Sequence, residues 1–155
     1  MHPIISQFHN LGPEAITAKI IHDAPYFASI DPLLTELKVG RAVVKFKNQR
    51  GVQNHLKTVH AIAMCNAAEL VAGITTTVSI PQTMRWIPKG MTVEYLAKAR
   101  TDLTVVAEAE RVDFSEVGDL NIPVSAYDSD GVKVFRATVS MNIKPESTAK
   151  NHKET

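Results

Sequence analysis

The sequence contains a single cysteine, Cys65, and this scarcity excludes two classes of small protein. One thiol cannot form a disulfide within the chain, nor can it supply a zinc site built on several thiolates. Because no stretch of about 18 uncharged apolar residues occurs, the sequence predicts no membrane-spanning helix. The N-terminal segment MHPIISQFHNLGPE lacks a basic region followed by an apolar run, so no secretory signal is predicted. These absences predict a cytoplasmic protein.

An excess of charge of one sign is also lacking, since 17 Lys+Arg face 16 Asp+Glu and the formal net charge is +1. This balance argues against a strongly basic nucleic-acid binder and against an acidic disordered protein. Hydrophobic residues make up 45% of the 155 residues, which is typical of a globular domain with a sizeable core. We predict one domain over residues 1–144, including an N-terminal helical segment over 1–34, followed by a polar tail over 145–155.

Apolar residues recur at helical spacing on both sides of Gly12 and Pro13, which predicts two short N-terminal helices. The segment between Pro25 and Pro32 is predicted to be a loop with buried aromatic residues. Apolar residues that alternate with basic ones then predict one half-buried strand over 37–47.

The strongest pattern in the chain predicts a buried helix from about Val59 to Thr77. This stretch is rich in alanine and apolar on almost every side, and a helix that is apolar all round is a buried helix. Thr58 precedes the stretch and is a suitable N-cap.

Beyond Pro81 the pattern is that of β-structure. The predicted strands span residues 91–99, 103–110, 122–126 and 135–143. The segment 128–131 ends in an Asp-Gly step and is interpreted as a hairpin turn rather than a calcium loop. Strands that follow one another without helices pair mainly antiparallel. The predicted fold class is therefore α+β, an antiparallel curved sheet wrapped round one long buried helix.

Glu69 is unexpected in the middle of this apolar helix. An ionised carboxylate in such surroundings is costly unless it is paired or hydrated. Glu69 is therefore a member of a structural ion pair, a residue exposed at an oligomer seam, or a working acid, base or nucleophile.

Asn54 and His60 flank the predicted start of the helix. A histidine there is most simply a solvated or capping residue, and Asn54 alone is an ordinary loop residue. The free amides of a helix N-terminus nevertheless form a site for a developing oxyanion. Cys65 lies about 140° round the helix axis from His60, so the two side chains point apart. Cys65 is predicted to be a small core residue.

The pattern Asn54-x-x-Lys57-x-x-His60, followed by Glu69 nine residues after the histidine, resembles a known signature. It is similar to the N-x-x-G-x-x-H-G-G…D/E pattern of hotdog-fold acyl-CoA thioesterases of the phenylacetyl-CoA thioesterase-like group. The stretch 59–73 especially resembles the uncharacterised DUF4442 thioesterase-like branch. The resemblance covers residues 37–143 and implies a hotdog fold.

The sequence departs from that pattern at three places. Lys57 replaces the usual glycine, and Ala61 and Ile62 replace the Gly-Gly pair. Pro88 stands where some relatives carry a hydroxyl residue that helps to position water. An amide N–H is retained at Ala61.

The resemblance implies that the protein is an acyl-CoA thioesterase. Glu69 would be the nucleophile or general base, and Asn54 would orient water or substrate. The Ala61 amide would hold the oxyanion, with His60 on the same wall. No cofactor and no metal is implied, since a thioester is already an activated acyl group.

Three further residues are assigned to substrate binding. Lys98 and Arg100 are basic residues near the expected substrate entrance and would hold the phosphates of coenzyme A. The alternative is that both are solvated surface charges. Tyr95 lies in the segment 93–99, which resembles the second strand of the family.

Two other functions stay open. One is a non-catalytic acyl-CoA or fatty-acyl binding module, and the other is a hotdog hydratase or dehydratase. The second is disfavoured because no matching histidine-containing loop is found. The expected partners are acyl-CoA and further copies of the chain, with no nucleic acid and no membrane.

An active site shared between two subunits is expected from helix geometry. His60 and Glu69 lie on opposite faces and about 13.5 Å apart along one helix axis. Reacting groups must come within about 3–3.5 Å of one another. The site would therefore combine residues of two chains in a homodimer, or in a tetramer formed as a dimer of dimers. The predicted seam is a stripe of small or polar residues: Ile62, Asn66, Glu69, Gly73 and Thr76.

Overall fold

The computed structural model describes residues 1–111 and 113–146 and has the predicted α+β architecture. The helices are α1 (Pro3–Leu11), α2 (Pro13–Asp23) and α3 (Ala61–Ser79), and short 3-10 helices cover Pro25–Ile30 and Arg50–Val52. The strands are β1 (Leu33–Lys38), β2 (Arg41–Phe46), β3 (Met84–Tyr95), β4 (Leu103–Glu108), β5 (Gly118–Tyr127) and β6 (Lys133–Pro145).

The six strands form one sheet in the order β1-β2-β4-β5-β6-β3, and every neighbouring pair is antiparallel. β3 and β4 are consecutive in the chain and yet are not neighbours, because β3 lies at the far edge and pairs with β6. Residues 96–102 connect these two distant parts of the sheet, and this connection later forms one wall of the candidate site.

The prediction of one strand over 37–47 is wrong, because the chain turns back at Val39 and Gly40 to form the β1–β2 hairpin. Gly40 has a φ of 79°, a left-handed conformation that glycine adopts without steric cost. Its amide donates to Ser79 Oγ at 2.8 Å and so ties the hairpin to the end of α3.

The two N-terminal helices are confirmed as α1 and α2. The loop predicted between Pro25 and Pro32 is mostly a 3-10 helix, and Tyr26 within it is 71% exposed rather than buried. At the other end of the domain β6 extends to Pro145. Residues 147–155 of the predicted tail lie outside the described residues.

Helix α3 forms the centre of the core. Its residues Ala67, Val71 and Ala72 have no exposed surface. Thr75 and Thr76 are also fully buried, and their hydroxyls donate to carbonyls one turn earlier at 2.7 and 2.8 Å. By length and composition α3 could cross a membrane, but most of the helix is buried within the fold. Burial among apolar neighbours explains its hydrophobic character.

The N-cap of α3 is His60 rather than the predicted Thr58. His60 Nδ1 accepts the N–H of Ile62 at 3.0 Å, so the helix begins at Ala61. Thr58 is buried in the preceding loop, where its hydroxyl accepts a hydrogen bond from Asn54 Nδ2 at 2.8 Å.

β3 is an edge strand that α3 covers mainly at its beginning. Trp86 lies over Gly73, so closely that an added Cβ at Gly73 would come within 3.0 Å of the ring. The Trp86 indole N–H donates to Thr77 Oγ1 at 2.9 Å. Further along, Met91 and Tyr95 pair with buried residues of β6 but are 37% and 57% exposed. The strand ends at Tyr95, four residues before the predicted end.

Candidate functional site

An exposed surface lies between the first half of α3 and the second half of β3. We call this surface the open face, and it is formed by Ile62, Cys65, Glu69, Met91 and Tyr95. Ile62 is 55% exposed, and Cys65 and Glu69 are partly exposed. The predicted core position of Cys65 is therefore only half correct, since its Sγ packs on the core yet lies 3.9 Å from the exposed Tyr95 Oη.

Glu69 faces the middle of β3. It lies one helical turn from Cys65, which contacts Tyr95, and one turn from Gly73, which contacts Trp86. Within the described ranges no side chain forms an ion pair or hydrogen bond with its carboxylate. The structural ion pair considered from the sequence is therefore not formed within this part of the chain, and the carboxylate is available at a partly exposed position.

The first turn of α3 presents one backbone donor that no described residue accepts. His60 Nδ1 accepts from Ile62, and the His60 carbonyl accepts from Ala63 and Met64 at 3.0 and 3.3 Å. The remaining amide of the turn, that of Ala61, has no acceptor among the described residues. A single unpaired N–H at the positive end of a 19-residue helix is suited to hold an oxyanion.

Asn54 organises the loop that precedes α3. Its Oδ1 accepts the amides of Leu56 and Thr58 at 2.9 and 3.2 Å, and its Nδ2 donates to the Thr58 hydroxyl. Lys57 in this loop has a φ of 63°, which is the left-handed conformation that favours glycine. The usual glycine of the resembled signature falls at this position, so Lys57 occupies a conformation that glycine adopts without steric cost.

A cleft of about 300 Å³ brings several of the predicted residues together. Its walls are the loop 54–58, the first turns of α3, and the segment that follows β3. The predicted site residues that line it are Asn54, Ala61, Tyr95 and Lys98. His60 lies on the opposite side of the same helical turn and lines a second depression.

Lys98 and Arg100 are exposed and lie in the segment after β3 rather than on a strand. Asn48 joins their segment to the loop of a third basic residue, Lys57, because its Nδ2 donates to the backbone carbonyls of Lys57 and Arg100 at 3.3 and 3.0 Å. None of the three cations forms an ion pair within residues 1–111 and 113–146. The sequence pattern indicated no role for Asn48 and no binding role for Lys57, since a contact between residues far apart in the chain leaves no local pattern.

Tyr95 forms the wall of the cleft nearest the open face. Its ring packs against Phe135 with centroids 6.2 Å apart. The hydrogen bond with the Cys65 thiol raises the pKa of the Tyr95 phenol above its usual value. The phenol therefore stays protonated at neutral pH and can act as a hydrogen-bond donor.

The predicted helix stripe is exposed only in part. Ile62 and Glu69 reach the open face, whereas Thr76 is fully buried and Gly73 lies beneath Trp86. Asn66 is 8% exposed and donates to Ser29 Oγ at 3.1 Å. A surface available to a partner therefore consists of the first half of α3 and the edge of β3.

Within the described residues no group of three or more His, Cys, Asp or Glu side chains is placed to hold a metal ion. The groups that the cleft offers are an amide donor, a tyrosine and a lysine, and the adjoining face carries a carboxylate.

An antiparallel curved sheet that packs on one long central helix defines the hotdog fold. The chain belongs to the DUF4442 family, described as a domain of unknown function, whose model matches residues 12–143. No curated protein sequence matches the chain.

Solved structures confirm this fold. A protein solved as a genomics target is 49% identical over 92% of this chain and 97% of its own, with a TM-score of 0.83. A thioesterase from Staphylococcus aureus is 13% identical over 77% of this chain and 98% of its own, with a TM-score of 0.70. A thioesterase family protein from Silicibacter pomeroyi is 14% identical over 83% of this chain and 96% of its own, with a TM-score of 0.73.

Proposed function

We propose that the protein is an acyl-CoA thioesterase that uses Glu69 and the Ala61 amide. The observation that carries the proposal is the Ala61 N–H at the start of α3, which lies beside a cleft, has no acceptor among the described residues and belongs to the same helix as a carboxylate that has no partner among them either. An oxyanion donor and a carboxylate that acts as base or nucleophile can together catalyse thioester hydrolysis.

The chemistry follows from these two groups. Glu69 removes a proton from water while the water oxygen attacks the thioester carbon, and the carbonyl oxygen becomes an oxyanion held by the Ala61 N–H. Collapse of this intermediate breaks the C–S bond and releases the acid and coenzyme A thiolate, which takes up a proton. Direct attack by Glu69 would instead give a mixed anhydride that water then hydrolyses.

Two crystallised variants of a structural neighbour replace residues whose spacing matches that of Asn54 and Glu69. The Staphylococcus aureus thioesterase was crystallised with a glutamine and, separately, a glutamate replaced by alanine, at positions fifteen residues apart. Asn54 and Glu69 have the same separation. This equal spacing supports the pairing of Asn54 with Glu69 in the proposed site.

The assay that tests the proposal is release of free thiol from a panel of acyl-CoA esters. Turnover of at least one member above the buffer rate is expected. Binding of acyl-CoA without thiol release would instead favour the alternative, a non-catalytic acyl-CoA binding module. That alternative draws support from Pro88, which lies next to a bulge in β3 and has no side-chain hydroxyl to hold water.

We further propose that the site is completed by a second copy of the chain. β3 is an edge strand whose outer backbone groups have no neighbour in the described sheet, and exposed apolar edges favour association. Large apolar residues of β3, of the segment directly after it and of the first turn of α3 are exposed: Ile87, Met91, Tyr95, Leu96 and Ile62. Pairing of two copies across a two-fold axis would place Glu69 of one chain near Ala61 of the other.

Complementation between inactive chains tests this arrangement. In co-expressed Glu69→Ala and Ala61→Pro chains, each mixed dimer keeps one site with both groups intact. Random assembly should restore about one quarter of the wild-type activity, because half of the dimers are mixed and each has one working site. A different affinity tag on each of the two chains allows the mixed dimer to be purified and assayed alone. A mixed dimer with no activity, or an active monomer, would contradict the shared site.

The basic residues at the cleft, which form no ion pair with any described residue, allow a second test of whether the substrate is an acyl-CoA. Replacing Lys98 and Arg100 by glutamine together should raise the KM for acyl-CoA several-fold with little change in kcat, because phosphate contacts bind substrate without reaching the reacting carbon. The increase should be largest at low ionic strength. Lys144→Gln, an exposed change in β6, is the matched control. An unchanged KM at low salt would identify both residues as ordinary surface charges.

A further inference from the structure

Asn48 follows β2 by two residues, and its side chain joins two segments that are far apart in the sequence. Its Nδ2 donates to the backbone carbonyl of Lys57 at 3.3 Å and to that of Arg100 at 3.0 Å. Because one nitrogen contacts both oxygens, the loop before α3 and the segment after β3 pass within two hydrogen-bond lengths of each other. The Val59 N–H, which donates to the Ala99 carbonyl at 2.8 Å, is a second link between the same segments.

The orientation of the Asn48 carboxamide is fixed by these contacts. Backbone carbonyl oxygens only accept hydrogen bonds, so the group that faces Lys57 and Arg100 must be the NH2 group. The carboxamide oxygen then accepts from Gln53 Nε2 at 3.0 Å, and the Asn48 backbone N–H donates to Asp102 Oδ1 at 2.8 Å. Both NH2 hydrogens and the oxygen are therefore engaged within the protein, so Asn48 holds the two segments rather than a ligand.

The two joined segments carry charge of one sign. Lys57 and Arg100 are exposed, and Lys98, in the same segment as Arg100, lines the cleft. None of the three forms an ion pair with a described residue. The sequence over 37–68, which includes the first of these segments, contains six Lys and Arg residues and no Asp or Glu.

This arrangement of like charges favours an anionic ligand. Neighbouring cations repel one another, and the repulsion is relieved when an anion binds between them. The bonds made by Asn48 hold the two basic segments together against this repulsion. The joined segments therefore fit a ligand that carries several negative charges.

From this arrangement, and on the basis of the proposed thioesterase function, we propose that Asn48 is a positioning residue that assembles Lys57, Lys98 and Arg100 into one binding site for the phosphates of coenzyme A. Asn48 does not touch the substrate. It fixes the separation of the two basic segments, and it thereby makes Lys57 a phosphate-binding residue beside Lys98 and Arg100. The cleft next to these segments receives the uncharged pantetheine arm that carries the thioester.

Two matched pairs of ligands test this role. Coenzyme A and 3′-dephospho-coenzyme A differ in one phosphate, and so do 4′-phosphopantetheine and pantetheine. Each is titrated into the full wild-type chain and into Asn48→Ala at low ionic strength, and the amide NMR signals report the affinity. Asn48→Ala should weaken the binding of coenzyme A about 5- to 10-fold, the scale of one or two exposed ionic contacts. The affinity for pantetheine, which has no phosphate, should not change.

A chain without the three cations separates positioning from a general effect on the shape of the cleft. In the triple variant Lys57→Gln, Lys98→Gln and Arg100→Gln, addition of Asn48→Ala should cause little further loss of coenzyme A affinity, because the groups that Asn48 positions are gone. In hydrolysis of acyl-CoA, Asn48→Ala alone should raise KM and leave kcat close to that of the wild type.

Ser140→Ala is the matched control. It also removes one hydrogen bond between two side chains, since Ser140 Oγ donates to Asn121 Oδ1 at 2.7 Å on the outer face of the sheet. This control should leave the affinity for all four ligands unchanged. If the amide spectrum shows that Asn48→Ala does not fold, Asn48→Ser, which keeps one donor, gives the same comparison with a smaller loss.

Three results would overturn the positioning role: an equal loss of affinity for coenzyme A and pantetheine, no loss for any ligand, or no binding of coenzyme A by the wild type. The outcome is distinct from that of the proposed function. A phosphate-dependent effect of Asn48→Ala in a protein that hydrolyses no acyl-CoA would establish the role of Asn48 and refute the thioesterase. Hydrolysis of acyl-CoA with a KM that Asn48→Ala leaves unchanged would refute the role of Asn48 alone.

Discussion

Replacement of Glu69 by alanine or glutamine is expected to lower kcat for acyl-CoA hydrolysis by at least about 100-fold. The carboxylate either removes the proton of the attacking water or attacks the thioester itself, and neither alanine nor a neutral amide can do this at pH 7. Thiol release under saturating substrate, compared with the wild type at the same protein concentration, measures the effect.

The melting temperature of the Glu69 variants distinguishes a chemical role of this residue from a structural one. The carboxylate has no partner among the described residues, so its removal should leave the melting temperature unchanged or slightly raised. Glu110→Gln, which alters an exposed carboxylate outside the site, is the matched control and should keep full activity. If Glu69→Gln retains near-normal turnover, the carboxylate is not the base or nucleophile.

Replacement of Ala61 by proline is expected to lower kcat by about 100- to 1000-fold, the usual effect of removing one oxyanion donor. Proline lacks the backbone N–H, so the substitution deletes the proposed donor without altering any other polar group. The local structure accommodates proline, because Ala61 is the first residue of α3 and proline is favoured there. His60 has φ −62° and ψ 139°, the extended conformation that a residue before proline adopts.

Glycine at the same position is the control, since Ala61→Gly keeps the N–H and should retain most of the activity. Both variants should unfold near the wild-type temperature, and circular dichroism checks that α3 is intact. A fully active Ala61→Pro protein would show that this amide does not hold the oxyanion.

The sequence alone was sufficient for the elements whose signals are local. The apolar stretch that predicts α3 is long and uninterrupted. The structure confirms the helix, whose start and end both lie two residues later in the chain than predicted. The alternation of apolar and polar residues in β4 and β6 likewise indicates which face of each strand packs against the core. The identity of the hotdog fold depended in addition on the spacing of Asn54, His60 and Glu69, a pattern that element order alone does not supply.

The roles of the site residues were only partly accessible from sequence. Glu69 stood out because a carboxylate is rare in an apolar helix, and the structure places it on a partly exposed face. Nothing local distinguished Asn66 from other polar residues of the same stripe, because its hydrogen-bond partner Ser29 lies 37 positions away.

What the sequence determined is the location of the helices, the alternation of most strands and the choice of Glu69, since each depends on residues close together in the chain. The tertiary structure decided that β3 pairs with β6 at the far edge, that Asn48 joins the loops of Lys57 and Arg100, and that Asn66 is buried. These features arise from contacts between distant residues. The alternation of a strand is the same whichever neighbour it pairs with, so only the packing of the whole chain selects among them.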